Sequence, residues 1–270
     1  MTEIRFRRYE QTDPRLGRNV KHDSRSLEYQ VEAAPLTTLK TVNHKVNIGV
    51  LNQGQLGSCT GNAGTANLAA NDLWENYGKV LTLDEKYAVG LYSRATAVDD
   101  YQGTYPPTDT GSDGLSIAKV LKERKFIDSY QHATSLPATL TALQTQAVIT
   151  GTEWRDDMFN PDKDGRIHIT GSVAGGHEYL LRGVDVENKR VWMRNSWGKN
   201  WGVAGEAYFT WDDFEALLHA EGDVTVMHAA PVPTPIPDPD TELSAALSKY
   251  VSRNQTPHYL IDAAKKWLAR

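Results

Sequence analysis

Gln53-Gly54-Gln55-Leu56-Gly57-Ser58-Cys59-Thr60-Gly61-Asn62-Ala63 holds the only cysteine in a chain of 270 residues. Its glycines read as a turn running into the first turn of a helix. From Ala63 onward, Ala66, Ala69, Ala70, Leu73, Trp74 and Tyr77 recur at helical spacing. Ser58 is placed as the N-cap of this helix and Gly78 as its C-terminal stop. Cys59 then sits at the positive end of the helix, where unpaired N–H groups and the macrodipole favour a thiolate. Taken alone, the stretch also fits a buried cysteine acting as a small hydrophobe. A base and an orienting group elsewhere in the chain would decide between the two.

Outward from this stretch the chain changes character once. On its N-terminal side, residues 1–44 are mixed in charge, with seven Arg or Lys against five Asp or Glu in the first thirty. Their few apolar residues suggest an extended arm lying over the body. Val46, Ile48 and Val50 alternate as in a short strand leading into the cysteine turn. On the C-terminal side, a second helix is expected over Leu83–Ala97 with Tyr87, Leu91 and Ala95 on one face. A loop rich in Gly, Pro, Thr and Asp runs through Gly111, Ser112 and Gly114. Ile117, Val120 and Leu121 mark a third helix ending near Lys125.

Beyond this come short β-rich runs, Ala147–Thr150, Arg166–Ile169, Tyr179–Val184, Arg190–Met193 and Ala207–Thr210, each bounded by turn signals. Helices followed by strands predict an α+β protein: a helical lobe, an antiparallel β lobe and a cleft between them. Asn160-Pro161-Asp162-Lys163-Asp164-Gly165 resembles the start of a calcium loop. Gly171, however, stands where such a loop needs a closing glutamate, so a polar hairpin turn is the better reading.

Pro231 to Pro239 has five prolines in nine residues, which makes residues 231–240 a stiff linker. Residues 241–270 carry two apolar stripes, Leu243, Leu247, Tyr250 and Val251, then Leu260, Ile261, Ala264, Trp267 and Leu268. They read as a helical hairpin too small to fold alone, hence a site for a docking partner or an oligomer contact. The core domain is bounded at 45–230.

Composition excludes several classes. The net charge of −5 gives no general reason to expect nucleic-acid binding. One cysteine precludes an intramolecular disulfide and the usual Cys-rich zinc sites, and the eight histidines show no His-Glu-x-x-His pattern. No metal or other cofactor is called for. No run reaches the length of a signal peptide or a membrane span, so synthesis in the cytoplasm is expected; the final location, cytosol, virion or cell wall, is open.

Of the histidines, His177 has the most telling setting, Ala174-Gly175-Gly176-His177-Glu178-Tyr179-Leu180. The glycines let a substrate backbone approach, and the histidine opens a strand. Eighteen residues on, Asn195 begins Asn195-Ser196-Trp197-Gly198-Lys199-Asn200-Trp201-Gly202. An asparagine on the next strand can accept from one imidazole nitrogen and leave the other facing a thiol.

The order Gln-Gly-x-x-x-Ser-Cys, Gly-His, Asn-Ser-Trp-Gly-x-x-Trp-Gly resembles that of the papain family of cysteine peptidases, bacterial or phage in style. Here the blocks are Gln53–Cys59, Gly176-His177 and Asn195–Gly202, and the resemblance covers roughly residues 45–228. It implies the papain-like two-lobed fold, with Cys59 on the helical lobe and His177 and Asn195 on the β lobe. It implies that Cys59 attacks the scissile carbonyl as a thiolate paired with a His177 imidazolium. Asn195 would orient His177, with Trp197 shielding that hydrogen bond. Gln53 would donate to the oxyanion together with the Cys59 N–H. Gly111, Ser112, Gly175, Gly176 and Glu178 would line the substrate.

The chain departs from the family in several places. Thr60 replaces an aromatic residue, and Leu56 replaces a cysteine that is normally disulfide-bonded. The fifty-eight residues before Cys59 are too few for a long helical prosegment, which argues against control by removing one. Glu178 stands where a small residue often lines the main specificity pocket. It either biases that pocket toward a basic or polar side chain or points away into a salt bridge. Three functions are consistent with these residues: a thiol peptidase acting on proteins or peptides, a peptidoglycan-cleaving amidase or endopeptidase, and a non-catalytic binding or structural protein on a peptidase scaffold.

Overall fold

The structure is a computed structural model that describes residues 4–23, 28–232, 262, 265 and 266. Met1–Pro231 form one compact unit and Val232–Arg270 a second. The linker and hairpin expected over 231–240 and 241–270 lie outside the described residues, apart from Pro231, Val232 and positions 262, 265 and 266, which are helical.

The first unit opens with three short strands, β1 (Ile4–Arg7), β2 (Val20–Asp23) and β3 (Val42–Asn43). β1 and β2 pair antiparallel with Ile4 opposite Asp23, so the intervening residues form a long excursion between paired ends. Four helices follow, α1 (Cys59–Leu68), α2 (Asn71–Asn76), α3 (Glu85–Thr96) and α4 (Gly114–Glu123).

Every residue of α1 is buried, which explains its small-residue composition. A Cβ on Gly61 would lie 2.3 Å from the Ala88 carbonyl oxygen of α3, and one on Gly64 would lie 2.6 Å from Ile117 of α4. Close approach on several sides thus replaces the single apolar stripe of a surface helix. The uninterrupted helix expected as far as Tyr77 is instead broken at Ala69-Ala70. Asn71 adopts a left-handed φ of 50° and its side chain accepts the Ala147 N–H at 2.9 Å. Gly78 begins a turn of 3-10 helix rather than stopping an α-helix. α3 and α4 match the expected spans closely and are capped by Asp84 and Asp113, whose side chains accept from Tyr87 N and Ser116 N.

The second half supplies β4 (Ile127–His132), α5 (Leu136–Ala142), β5 (Val148–Arg155), β6 (Val173–Asp185), β7 (Arg190–Arg194), β8 (Glu206–Thr210), α6 (Trp211–His219) and β9 (Asp223–Ala229). The sheet runs β4-β9-β5-β6-β7-β8, antiparallel throughout, with β3 also pairing to β6. Alternation along the central strands builds two cores from one sheet. Val148, Tyr179, Leu181 and Val226 face a cluster with α5 and α6, while Ile149, Leu180 and Met227 face a cluster with α1, α3 and α4. This is the helical lobe and β lobe of the α+β expectation.

Two expected strands do not form. Around Val46 there is only an isolated bridge to Ala70, because Val46 and Ile48 pack against the helical core with no strand alongside. Arg166–Ile169 likewise makes a single bridge, Arg166 to Tyr208, with Ile167 buried as an anchor. The Asn160–Gly165 segment is a turn closed by Gly165 N to Asp162 O and Asp162 N to Arg166 O, both 2.8 Å.

Candidate active site

Cys59 opens α1 as expected, but Ser58 does not cap the helix through its side chain. Its hydroxyl instead donates to Asn62 Oδ1 at 3.0 Å. The cysteine is fully buried. Its sulfur receives backbone N–H groups from Glu178, Gly17 and Thr60. Burial outweighs those donors and pushes the thiol up to about 12.

Beside it, β6 carries His177. Asn195 Oδ1 lies 2.7 Å from His177 Nε2 and also accepts the Ser196 N–H at 2.8 Å. An oxygen already accepting from a backbone N–H acts as acceptor toward the ring too, so Nε2 carries the proton and Nδ1 is the open acceptor. Nδ1 has no hydrogen-bond partner among the described residues. Trp197 lies 4.7 Å from the imidazole between ring centres, and Trp154, a residue the sequence motifs do not mark, meets it edge-on at 4.8 Å. This aromatic enclosure completes the burial that pulls His177 down to about 4, against the Asn195 hydrogen bond, which acts upward.

Gln53 is held from both ends. Its Oε1 accepts the Ser196 hydroxyl at 2.7 Å, while its Nε2 donates to Leu56 O at 2.7 Å and to Arg15 O at 2.9 Å. The last contact is unexpected, because Arg15 belongs to the N-terminal arm.

The arm crosses the cleft as a turn closed by Leu16 N to Asp13 O at 3.1 Å, followed by a stretch from Leu16 to Asn19. Thr12 N donates to Ala174 O at 2.8 Å, Arg18 N to Gly176 O at 3.0 Å, Ser112 N to Gly17 O at 2.8 Å and Asn19 N to Ser112 O at 2.7 Å. The last two bonds form a parallel bridge between Arg18 and Ser112. Glycines allow this approach. A Cβ on Gly176 would sit 2.3 Å from Arg18 O, one on Gly175 2.8 Å from Leu16, and one on Gly111 2.4 Å from Gly17 O. Gly111, Ser112, Gly175 and Gly176, named from the sequence as substrate-lining residues, therefore line the arm. Arg15 covers the site from outside: its guanidinium lies 4.2 Å above the Trp197 ring and pairs with Asp13 at 2.8 Å.

The arm also changes the protonation states expected from the helix terminus. With the cleft filled, Cys59 is a neutral thiol and His177 a neutral imidazole, because desolvation exceeds what a helix end supplies. A long helical prosegment is not needed to reach the cleft, since residues 12–19, a turn and the stretch after it, span it. Nothing in residues 12–19 marks them as cleft-binding; Gly17 between Leu16 and Arg18 is the one available sign.

Glu178 follows the strand alternation. His177 shares the Tyr179 face of β6, and Glu178 turns to the Leu180 face, toward α4. It is fully buried, and neither carboxylate oxygen has a hydrogen-bond partner among the described residues.

No protein-family model matches the chain, and no curated protein matches it. Its fold is similar to that of xylellain, a cysteine protease from Xylella fastidiosa, at 18 % identity and a TM-score of 0.63 over 85 % of this chain and 100 % of that one. It is also similar to digestive procathepsin L 3 of the Tenebrio molitor larval midgut, at 14 % identity and a TM-score of 0.54 over 74 % of this chain and 72 % of that one. The fold is therefore the papain-like one that the three sequence blocks imply, a helical lobe joined to an antiparallel β lobe.

Proposed function

We propose that the chain is a cysteine peptidase that hydrolyses peptide bonds through Cys59, His177 and Asn195, with Gln53 as oxyanion donor. The observation that carries this reading is the bond from His177 Nε2 to Asn195 Oδ1 at 2.7 Å, which fixes the ring with Nδ1 as its open acceptor. Once the arm leaves and water enters, the burial that holds both groups neutral is relieved. The Cys59 proton then passes to His177 Nδ1, and the helix end stabilises the thiolate.

The sulfur attacks the carbonyl carbon, and the oxyanion receives the Gln53 Nε2–H and the Cys59 N–H. Collapse breaks the C–N bond as His177 protonates the departing amine, leaving a thioester. Water then attacks that thioester, His177 takes its proton, and the acid is released with the thiol restored. A carbonyl already lies at Gln53 Nε2, that of Arg15, 2.9 Å away. The arm thus occupies the place a substrate carbonyl would take. No described helix is long and apolar enough to cross a membrane.

The test is labelling by an epoxide thiol-protease probe, together with cleavage of an unfolded protein substrate, in wild type and Cys59→Ala. Labelling and cleavage that vanish in the variant support the reading. Neither activity in a folded wild-type chain, even with the arm displaced by substitution, refutes it. Turbidity clearing of purified cell walls in the same preparation would assign the activity to peptidoglycan instead.

A further inference from the structure

Arg18 does something in the arm that covering a thiol does not require. Its side chain is fully buried and runs to the helical-lobe side of β6, the side to which Glu178 turns. Its guanidinium donates to Glu221 O at 2.7 Å, to the Asp223 carboxylate, and to Tyr9 Oη at 3.3 Å. Two glycines make the space. A Cβ on Gly151 would fall 2.5 Å from Arg18 Nε and 2.6 Å from Glu178 Oε2, and one on Gly114 would fall 2.6 Å from Glu178 Oε1.

Asp113 is buried alongside, at 2 % exposure. Glu178 and Asp223 therefore flank the cavity that the Arg18 side chain fills. Arg18 Nε and both Glu178 oxygens lack hydrogen-bond partners among the described residues. Burial, with Asp223 and Asp113 close by, holds the Glu178 carboxyl well above the usual carboxylate range, so the demand for a cation in the emptied cavity comes from Asp223, the carboxylate that Arg18 bonds.

The mouth of the cavity opens on the catalytic cleft. Gly17 N–H reaches the Cys59 sulfur, and Arg18 N bonds Gly176 O at 3.0 Å. With Arg15 O at Gln53 Nε2, a side chain inserted here belongs to a residue within three positions of the bond that Cys59 would attack.

We propose that the cavity formed by Gly114, Gly151, Glu178, Asp223 and Tyr9 selects the substrate, accepting a basic side chain once the arm has moved, with Arg18 as the chain's own stand-in. The proposal rests on the peptidase reading and names its substrate class: peptides with arginine, and less well lysine, within three residues of the scissile bond. Arginine is preferred because its planar fork bonds Asp223 and the Glu221 carbonyl through Nη2 while Nη1 reaches Tyr9 Oη. A leucine in the same place leaves Asp223 without the cation it pairs with.

The experiment uses the full chain carrying Arg18→Ala, which empties the cavity. Two peptidyl epoxide probes, identical except for an arginine or a leucine at the position that enters the cavity, are compared by the rate of Cys59 labelling. The arginine probe should react about tenfold faster or more, the scale of a charge-assisted contact in a desolvated site. Adding Glu178→Gln and Asp223→Asn should abolish that preference. Asp223 lies at the rim with a side chain 21 % exposed, so Asp223→Asn alone serves if the double change prevents folding. Equal rates for the two probes, or a preference that survives loss of the carboxylates, overturn the selectivity while leaving the peptidase reading intact. No labelling by either probe in a folded chain overturns both.

Discussion

Replacing Gly17 by alanine puts a methyl carbon 1.8 Å from the carbonyl oxygen of Gly57, and backbone stands on both sides of that clash. Neither side yields cheaply, so the arm must lift. Two contacts go with it, Ser112 N to Gly17 O at 2.8 Å and Gly17 N–H to the Cys59 sulfur. The Ser112 bond contributes about 1 kcal/mol, and the overpacking adds about 1–3 kcal/mol, so the covered state rises by about 3 kcal/mol relative to the open one. A factor of ten corresponds to about 1.4 kcal/mol, so the open fraction increases about a hundredfold. Alkylation of Cys59 by iodoacetamide at neutral pH reads that fraction directly, with Cys59→Ala as the blank. An alkylation rate no higher than that of wild type, in a variant with an unchanged far-ultraviolet spectrum, would refute the claim that the arm guards the thiol.

Three further outcomes follow from the site. In the Gly17→Ala background, Gln53→Ala should lower kcat by about a hundred- to a thousandfold with little change in KM, as expected for a donor acting on the transition state; an unaltered kcat removes Gln53 from the oxyanion site. Asn195→Ala leaves the buried Nε2–H of His177 without its acceptor and should cost about 1–3 kcal/mol of stability, read from urea unfolding. His177 in the covered chain should stay neutral as the pH falls until about 4, seen in its ring resonances. Its folded value lies below the unfolded one of about 6.5, so its contribution to stability is complete above about 6.5 and is lost as the pH falls toward 4. Titration near the unfolded value would show that the imidazole is not sealed.

The two-lobed fold was legible because its signals are local. The capped helices over Glu85–Thr96 and Gly114–Glu123 and the runs within β5 to β8 each carry their own periodicity. Cys59, His177, Asn195 and Gln53 were legible as a set, since their flanking residues, Trp197 and Ser196 among them, are held in fixed sequence blocks. What sequence reading missed depends on contacts between distant segments. α1 ends where Asn71 meets Ala147, which no local pattern announces. β9 carries no clear local signal because its apolar residues divide between two cores, Val224 and Val226 facing one and Met227 the other. The sequence places the arm over the body, but its entry into the cleft turns on Gly17 meeting Gly57, a fit that exists only after folding. The helix end promised a thiolate, and a single extended segment reversed that by excluding water.

Because the arm is part of the same polypeptide, its hold on the cleft is a matter of tethering as much as of contact. A short tether keeps a segment at a local concentration on the order of millimolar, so weak intrinsic affinity is enough to keep the cleft filled. The same segment as a free peptide would be a poor inhibitor, and severing the chain between Val20 and Cys59 would turn a permanent occupant into a dilute competitor. One cut there would then act as a dose-independent trigger: each molecule is armed once, by dilution alone, with no change in the residues that do the chemistry.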